Sequence, residues 1–248
     1  MTVIYALWLR ELKRFARSRT QILVSLGQPL LYFLALGYGL NPIFRRSGAG
    51  DSLQLVGTGV IAMSVLFSSM SSGMQLIWDR QFGYLQQILV APVPRLQIVI
   101  GRTCGAATAS IVQGVLAGAL CMLAGLRTAG PTAIPLGLLF LVLIAIVFSA
   151  LSLAIGSSLK EMRTFQTVMQ LLLMPIFLFS GALFPLNRLP KFLAVVALVD
   201  PLSYGVDGLR DALTDRSYFG ALTDGLVISM VLVLVTSLGA WRFCRIAA

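Results

Sequence analysis

Residues 128–159 read TAGPTAIPLGLLFLVLIAIVFSALSLAIGSSL, 32 residues without one charge. About 20 apolar residues suffice to cross a bilayer as a helix, so this run is a membrane span. Similar uncharged runs cover 20–44 (25 residues), 52–78 (27), 103–126 (24), 164–187 (24) and 225–241 (17). Six runs predict six spans and place most of the chain in lipid. Of 248 residues, 58% are hydrophobic and only 11% charged, against about 25% charged in a typical soluble domain. An ordinary soluble enzyme and a disordered chain are both excluded. The fold class expected is an all-α integral membrane protein.

The chain has no histidine. That removes histidine metal sites, a Ser–His dyad and histidine proton relays. Cys104, Cys121 and Cys244 have no paired spacing and read as small buried hydrophobes. No metal site is expected. The first apolar run is much longer than the roughly 7–15 residues of a signal-peptide core, so the start reads as a span and not as a cleaved leader.

The net charge is +10, which would suit nucleic acid, yet basic residues also gather on the cytoplasmic side of membrane proteins. With the N-terminus inside, the inner segments carry 12 basic and 3 acidic residues and the outer ones 7 and 6. Both termini are therefore expected in the cytoplasm, and the basic excess needs no nucleic-acid partner.

Residues 1–19 form a basic amphipathic helix in which Ile4, Leu7, Trp8, Leu12 and Phe15 recur at helical spacing, with Arg10, Lys13, Arg14 and Arg17 opposite. Such a helix lies in the membrane interface. Residues 20–248 then form a single six-span domain. The first span, about 21–40, contains Gln28-Pro29, a kink signal. Ser68, Ser69, Ser71, Ser72 and Gly73 make the second span, 53–77, suited to close helix approach. Gly101, Gly105, Gly114 and Gly118 give the third span, 99–123, two GxxxG spacings, fit for packing within one subunit or between two. Gln28, Gln75, Gln113, Gln166 and Gln170 read as interhelix hydrogen-bond partners before ligand groups.

Two connections are more than loops. The inner one, 78–98, begins Trp78-Asp79-Arg80-Gln81-Phe82-Gly83-Tyr84-Leu85-Gln86-Gln87. Asp79 suits a helix start. Phe82, Leu85, Ile88 and Leu89 form an apolar stripe, and Ala91-Pro92-Val93-Pro94 ends the helix. The helix can rest on the membrane or dock into a partner's groove. The outer connection, 185–218, holds an eight-residue apolar piece, 192–199, too short to cross, then Asp200-Pro201. It fits a re-entrant helical hairpin or an amphipathic cap; irregular backbone at membrane depth survives only against protein or water. Asp207 and Arg210, at i and i+3, are expected to pair as a structural clamp.

The inner run resembles the coupling-helix region of ABC type-2 exporter permeases, the daunorubicin-resistance group especially. The match lies at Asp79, Arg80, Gly83, Leu85, Leu89, Ala91, Pro92, Val93 and Arg95; Gln81 and Gln86 stand where glutamate is common. Ser180-Gly181-Ala182-Leu183-Phe184-Pro185 resembles the family's Ser-Gly-x-x-[Phe]-Pro turn. Pro201-Leu202-Ser203-Tyr204-Gly205-Val206-Asp207-Gly208-Leu209-Arg210 resembles its Pro-Leu-[Ser/Thr]-Tyr-x-x-Asp-x-[Leu/Ile]-Arg signature.

The resemblance implies a coupling helix between spans two and three that contacts an ATPase through Asp79, Arg80, Gly83, Tyr84, Leu85, Gln86, Leu89, Pro92 and Arg95. It favours a hairpin marked by Pro185, Asp200, Pro201, Tyr204, Asp207 and Arg210. No GxxxxGK[ST] occurs in the chain, so ATP and Mg would bind a separate ATPase subunit, two copies per pair of permease chains. The function implied is export from an inner membrane of an amphiphilic or hydrophobic substrate, whether drug, lipid or lipo-oligosaccharide. A polysaccharide exporter is the alternative. A carrier without ATP is disfavoured because the span cores lack ionisable residues. A passive scaffold leaves both special connections without a use.

Overall fold

The computed structural model describes residues 2–39, 41–42, 52–84, 94–130, 132–184 and 190–246. Every regular element among them is helical. In chain order they are α1 (Thr2–Arg17), α2 (Arg19–Tyr32, continued by a π-helical stretch Phe33–Tyr38), α3 (Ser52–Gln81), α4 (Arg95–Leu123), α5 (Ala133–Ser158), α6 (Met162–Phe179), α7 (Lys191–Val199), α8 (Pro201–Thr214) and α9 (Ala221–Ile246).

Helices α3, α4, α5, α6 and α9 are each long and apolar enough to cross a membrane. Two further pairs qualify only when joined across a bend: residues 3–17 with 22–38, at 70°, and Phe192–Val199 with Pro201–Thr214, at 87°. The described residues thus carry five to seven candidate spans. The expected first span begins beyond the bend at Ser18, and its proline stands inside α2, just ahead of the π-helical stretch. Proline's missing N–H breaks the regular ladder there.

The core is built on α3 and α5. Val60, Val65 and Leu66 of α3 and Ile144, Val147 and Phe148 of α5 are all fully buried. The two helices touch backbone to backbone, because a side chain on Gly156 would strike the Gly73 carbonyl. Ser152 Oγ fills the gap, donating to the Met70 carbonyl (2.7 Å) while accepting from the Gly73 N–H (2.9 Å). Small residues remove the bulk that would hold the axes apart. The serines of α3 divide by face. Ser69 meets α5, where it donates to the Ala145 carbonyl, and Ser68 meets Ser110 of α4.

The four glycines of α4 pack within the chain. Gly101 and Gly105 receive α1, with Ile4, Leu7 and Glu11 against them, while Gly114 and Gly118 receive Val65 and Ile61 of α3. The two GxxxG pairs are seats for two different helices, and the question between internal packing and a subunit interface closes on internal packing.

At 30 residues and 1.5 Å per residue, α3 is about 45 Å long, well beyond the roughly 30 Å hydrocarbon core. Its last turn, carrying Trp78, Asp79 and Arg80, therefore extends the expected span. Helix α4 begins at Arg95, one turn before the expected span. The inner connection accordingly narrows to residues 82–94, and the apolar stripe expected through Leu85, Ile88 and Leu89 lies outside the described residues.

Candidate functional site

Asp79 was expected near a helix start. It stands in the last turn of α3, where the helix dipole disfavours an anion. Arginines compensate. Arg10 Nη2 of α1 donates to one carboxylate oxygen at 2.7 Å and Arg102 Nη2 of α4 to the other, also at 2.7 Å. Arg14 approaches at 3.6 Å and equally pairs with Glu11 at 3.6 Å. Arg10 and Arg14 share a face of α1, one turn apart. Asp79 is only 3% exposed and Arg102 4%. Three helices, α1, α3 and α4, thus meet on one buried carboxylate.

The seat on Gly101 and Gly105 makes this possible. It lets α1 approach α4 closely enough for Leu7 and Glu11 to be buried, and Trp8 Nε1 donates to Thr108 Oγ1 at 3.0 Å. The amphipathic helix is therefore fixed to the bundle through its charged side as well as its apolar one.

Beyond Asp79 the chain leaves the bundle in a controlled way. Arg80 Nη1 donates to the Leu159 carbonyl and Gln81 Nε2 to the Lys160 carbonyl, tying the end of α3 to the end of α5. Gly83 has φ +76° with open space around it. The glycine is needed for backbone conformation, as a left-handed helix terminator. Trp78 and Phe82 pack ring to ring at 5.4 Å on the exposed side, and Tyr84 is exposed. Arg95 opens α4 behind Pro94. Leu85, Gln86, Leu89 and Pro92 lie outside the described residues.

At the opposite end α7 and α8 meet at Asp200-Pro201. Asp200 Oδ1 caps α8 by accepting the Leu202 N–H at 2.9 Å, with Pro201 in the first turn. Helix α8 is sunk into the bundle: Leu202, Val206 and Leu209 are buried, and Gly205 and Gly208 sit against Ile144 and Phe140 of α5. Tyr204 donates to the Leu198 carbonyl (2.9 Å) and stacks on Phe219 at 4.9 Å. Pro185 lies outside the described residues.

Asp207 and Arg210, expected to pair, stay within electrostatic reach of each other, but their hydrogen bonds go to other segments. Asp207 Oδ2 accepts the N–H groups of Tyr218 and Phe219 at 2.7 and 2.8 Å, holding the turn before α9. Arg210 Nη2 donates to the Gly181 carbonyl at 2.8 Å, holding the turn after α6. Both residues are clamps, but each grips backbone of a different segment, which an i, i+3 pattern cannot reveal.

Several residues escaped sequence reasoning. Glu11 and Arg102 were counted only as topology charges, and Arg10 only as such and as part of the polar face of the first helix. Arg102 beside Gly101, about two turns into α4, was the available signal. Asp224 was counted among the outer acids, yet it is 0% exposed and neither carboxylate oxygen has a partner. No group of acids and cysteines among the described residues is arranged to hold a metal ion.

The family model described as ABC-2 type transporter matches residues 2–214. The chain is 25% identical to the inner membrane transport permease YadH of Escherichia coli K12, an alignment covering 83% of this chain and 80% of the relative. It is 23% identical to a transport permease, ycf38, of Porphyra purpurea over 88% of this chain and 79% of the relative. It is also 25% identical to nodulation protein J of Rhizobium leguminosarum bv. trifolii, over 83% and 79%.

Proposed function

The chain belongs to the ABC-2 type transporter family, and we propose that it is the permease subunit of an ATP-driven exporter. In this reading two copies form a homodimer in an inner membrane, each with six spans, cytoplasmic termini and a re-entrant α7–α8 hairpin. Two separate ATPase subunits bind ATP and Mg. The cargo is an amphiphilic or hydrophobic molecule, drug, lipid or lipo-oligosaccharide, taken from the cytoplasm or the inner leaflet.

The buried Asp79 junction carries this reading. A protein that only occupied the membrane has no use for a rigid joint at the point where α3 enters the 82–94 connection. A coupling machine does. Displacement of that connection by the ATPases acts on the ends of α3 and α4 directly, and through Asp79–Arg10 on α1. The three helices then move together. Tyr84, Leu85, Gln86, Leu89, Pro92 and Arg95 form the ATPase contact, while Asp79, Arg80 and Gly83 anchor it. Asp200, Pro201, Tyr204, Asp207 and Arg210, with Pro185, hold the hairpin against the far end of the same bundle.

The test is a pull-down from native membranes solubilised under conditions that preserve a known exporter complex. The expected result is co-recovery of an ATPase in stoichiometric amount, lost with Leu85→Asp. Recovery of the permease alone overturns the proposal.

A further inference from the structure

A crevice of about 130 Å³ opens beneath the elbow between α1 and α2, walled by α3 and α4. Its polar lining is dominated by serine. Ser18, Ser25, Ser64, Ser71 and Ser72 each donate their hydroxyl hydrogen to a backbone carbonyl three or four residues earlier. A hydroxyl has one hydrogen and two lone pairs, so these oxygens are left able only to accept.

Gln113 lines the same crevice, 1% exposed. Its Nε2 donates to Ser25 Oγ at 2.7 Å. With the amide in this orientation the Ser25 hydroxyl keeps its bond to the Ile22 carbonyl. Gln113 Oε1 is therefore left buried without a partner. Buried carbonyl oxygens are nearly always partnered, so this atom calls for a donor, which a ligand in the crevice can supply.

Charge narrows the donor. Glu11 and Arg14 line the crevice and pair at 3.6 Å, so neither offers an unbalanced charge to an ion. A neutral hydroxyl group meets both the acceptors and the guanidinium. Ser68 and Gln75 add to the polar lining, while Phe15, Ile22 and Phe67 are apolar, and Phe67 is exposed, which suits an adjoining alkyl chain. The volume is close to the roughly 150 Å³ that takes one six-membered ring, room for one sugar ring with its substituents towards the open side, or for a glycerol unit.

We propose that this crevice binds the neutral, hydroxyl-bearing headgroup of an amphiphile, a sugar or polyol, with its chain along Phe67. That the bound amphiphile is cargo rests on the export reading; the binding does not.

The experiment uses the full chain in phosphatidylcholine nanodiscs, whose headgroup has no hydrogen-bond donor. Monoglucosyl diacylglycerol, its per-O-methylated form and phosphatidylethanolamine are added separately at limiting amounts, and retained lipid is read by native mass spectrometry. The expected result is about tenfold preference for the glucolipid over both others, roughly what one well-made hydrogen bond provides. Gln113→Met removes most of that preference. Ser71→Ala with Ser72→Ala, which leaves the helix intact, weakens it about threefold. Equal retention of the three lipids, preference for phosphatidylethanolamine, or unchanged glucolipid retention in the serine double variant overturns the proposal. No ATPase or ATP is present, so failure here leaves the export reading standing, and failure to recover an ATPase leaves this site standing.

Discussion

Asp79→Asn is the sharpest perturbation of this molecule. The side chain keeps its size and loses its charge, leaving the Arg102 guanidinium, 4% exposed, without an ionic partner. Removing one member of a buried pair costs about 3–5 kcal/mol, since the remaining charge stays desolvated. Arg10 and Arg14 contribute little beyond this, because their side chains are 35% and 38% exposed and recover solvation in water. The expected loss is therefore about 3 kcal/mol, at the low end because Glu11 remains nearby. For a chain of this length that is roughly 6–12 °C in the unfolding midpoint, read by intrinsic fluorescence in nanodiscs. Arg102→Met in the same chain removes the stranded cation, and the double variant is expected to recover more than half the loss. Strict additivity of the two changes, or an Asp79→Asn shift below about 1 kcal/mol, would refute the idea that one carboxylate joins the three helices.

Gly83→Ala is expected to lower stability by about 1–2 kcal/mol, because φ is +76° there, while Gly83→Asn costs less; unfolding midpoints of the two variants compare them. Gly73→Ala places a methyl against the Ser152 carbonyl, and overpacking of about 1–3 kcal/mol separates α3 from α5, measurable as a lower midpoint with wild-type expression. Asp207→Ala and Arg210→Ala are each expected to cost about 1.5–3 kcal/mol as charged hydrogen-bonding groups. The two buried charges also act on each other, so a double-mutant cycle is expected to show a coupling of about 0.5–3 kcal/mol; strict additivity would refute that interaction.

The helices and their ends were largely legible. The run 128–159 marks α5, and the tight turn at Lys160 appears as the gap between α5 and α6. Asp200-Pro201 marks the α7–α8 bend because proline and a capping carboxylate act within a few residues. The inner connection was expected over 78–98, whereas helix runs to Gln81 and resumes at Arg95. Charge counting ended the second span at Ile77 or Trp78, whereas α3 continues to Gln81 because Asp79 is neutralised by arginines that no local window contains. Asp224 reads as an ordinary surface acid by composition, and only the packing of α9 against α5 and α8 buries it.

That this chain lives in a membrane, and that its described segments are helical, could be read from the residues alone. Those properties follow from transfer free energy and backbone preference summed over neighbours in the chain. The partners emerge only in the folded bundle: Asp79 with Arg102, 23 residues away, and with Arg10, 69 away; each glycine pair of α4 with its own helix; the hydrogen bonds of Asp207 and Arg210 with separate turns. Hydrophobic burial is non-directional and tolerates any rotation of a helix about its axis. Hydrogen bonds and ion pairs demand contact within about 3 Å, and that contact exists only once rotation, tilt and depth of every helix have been set together.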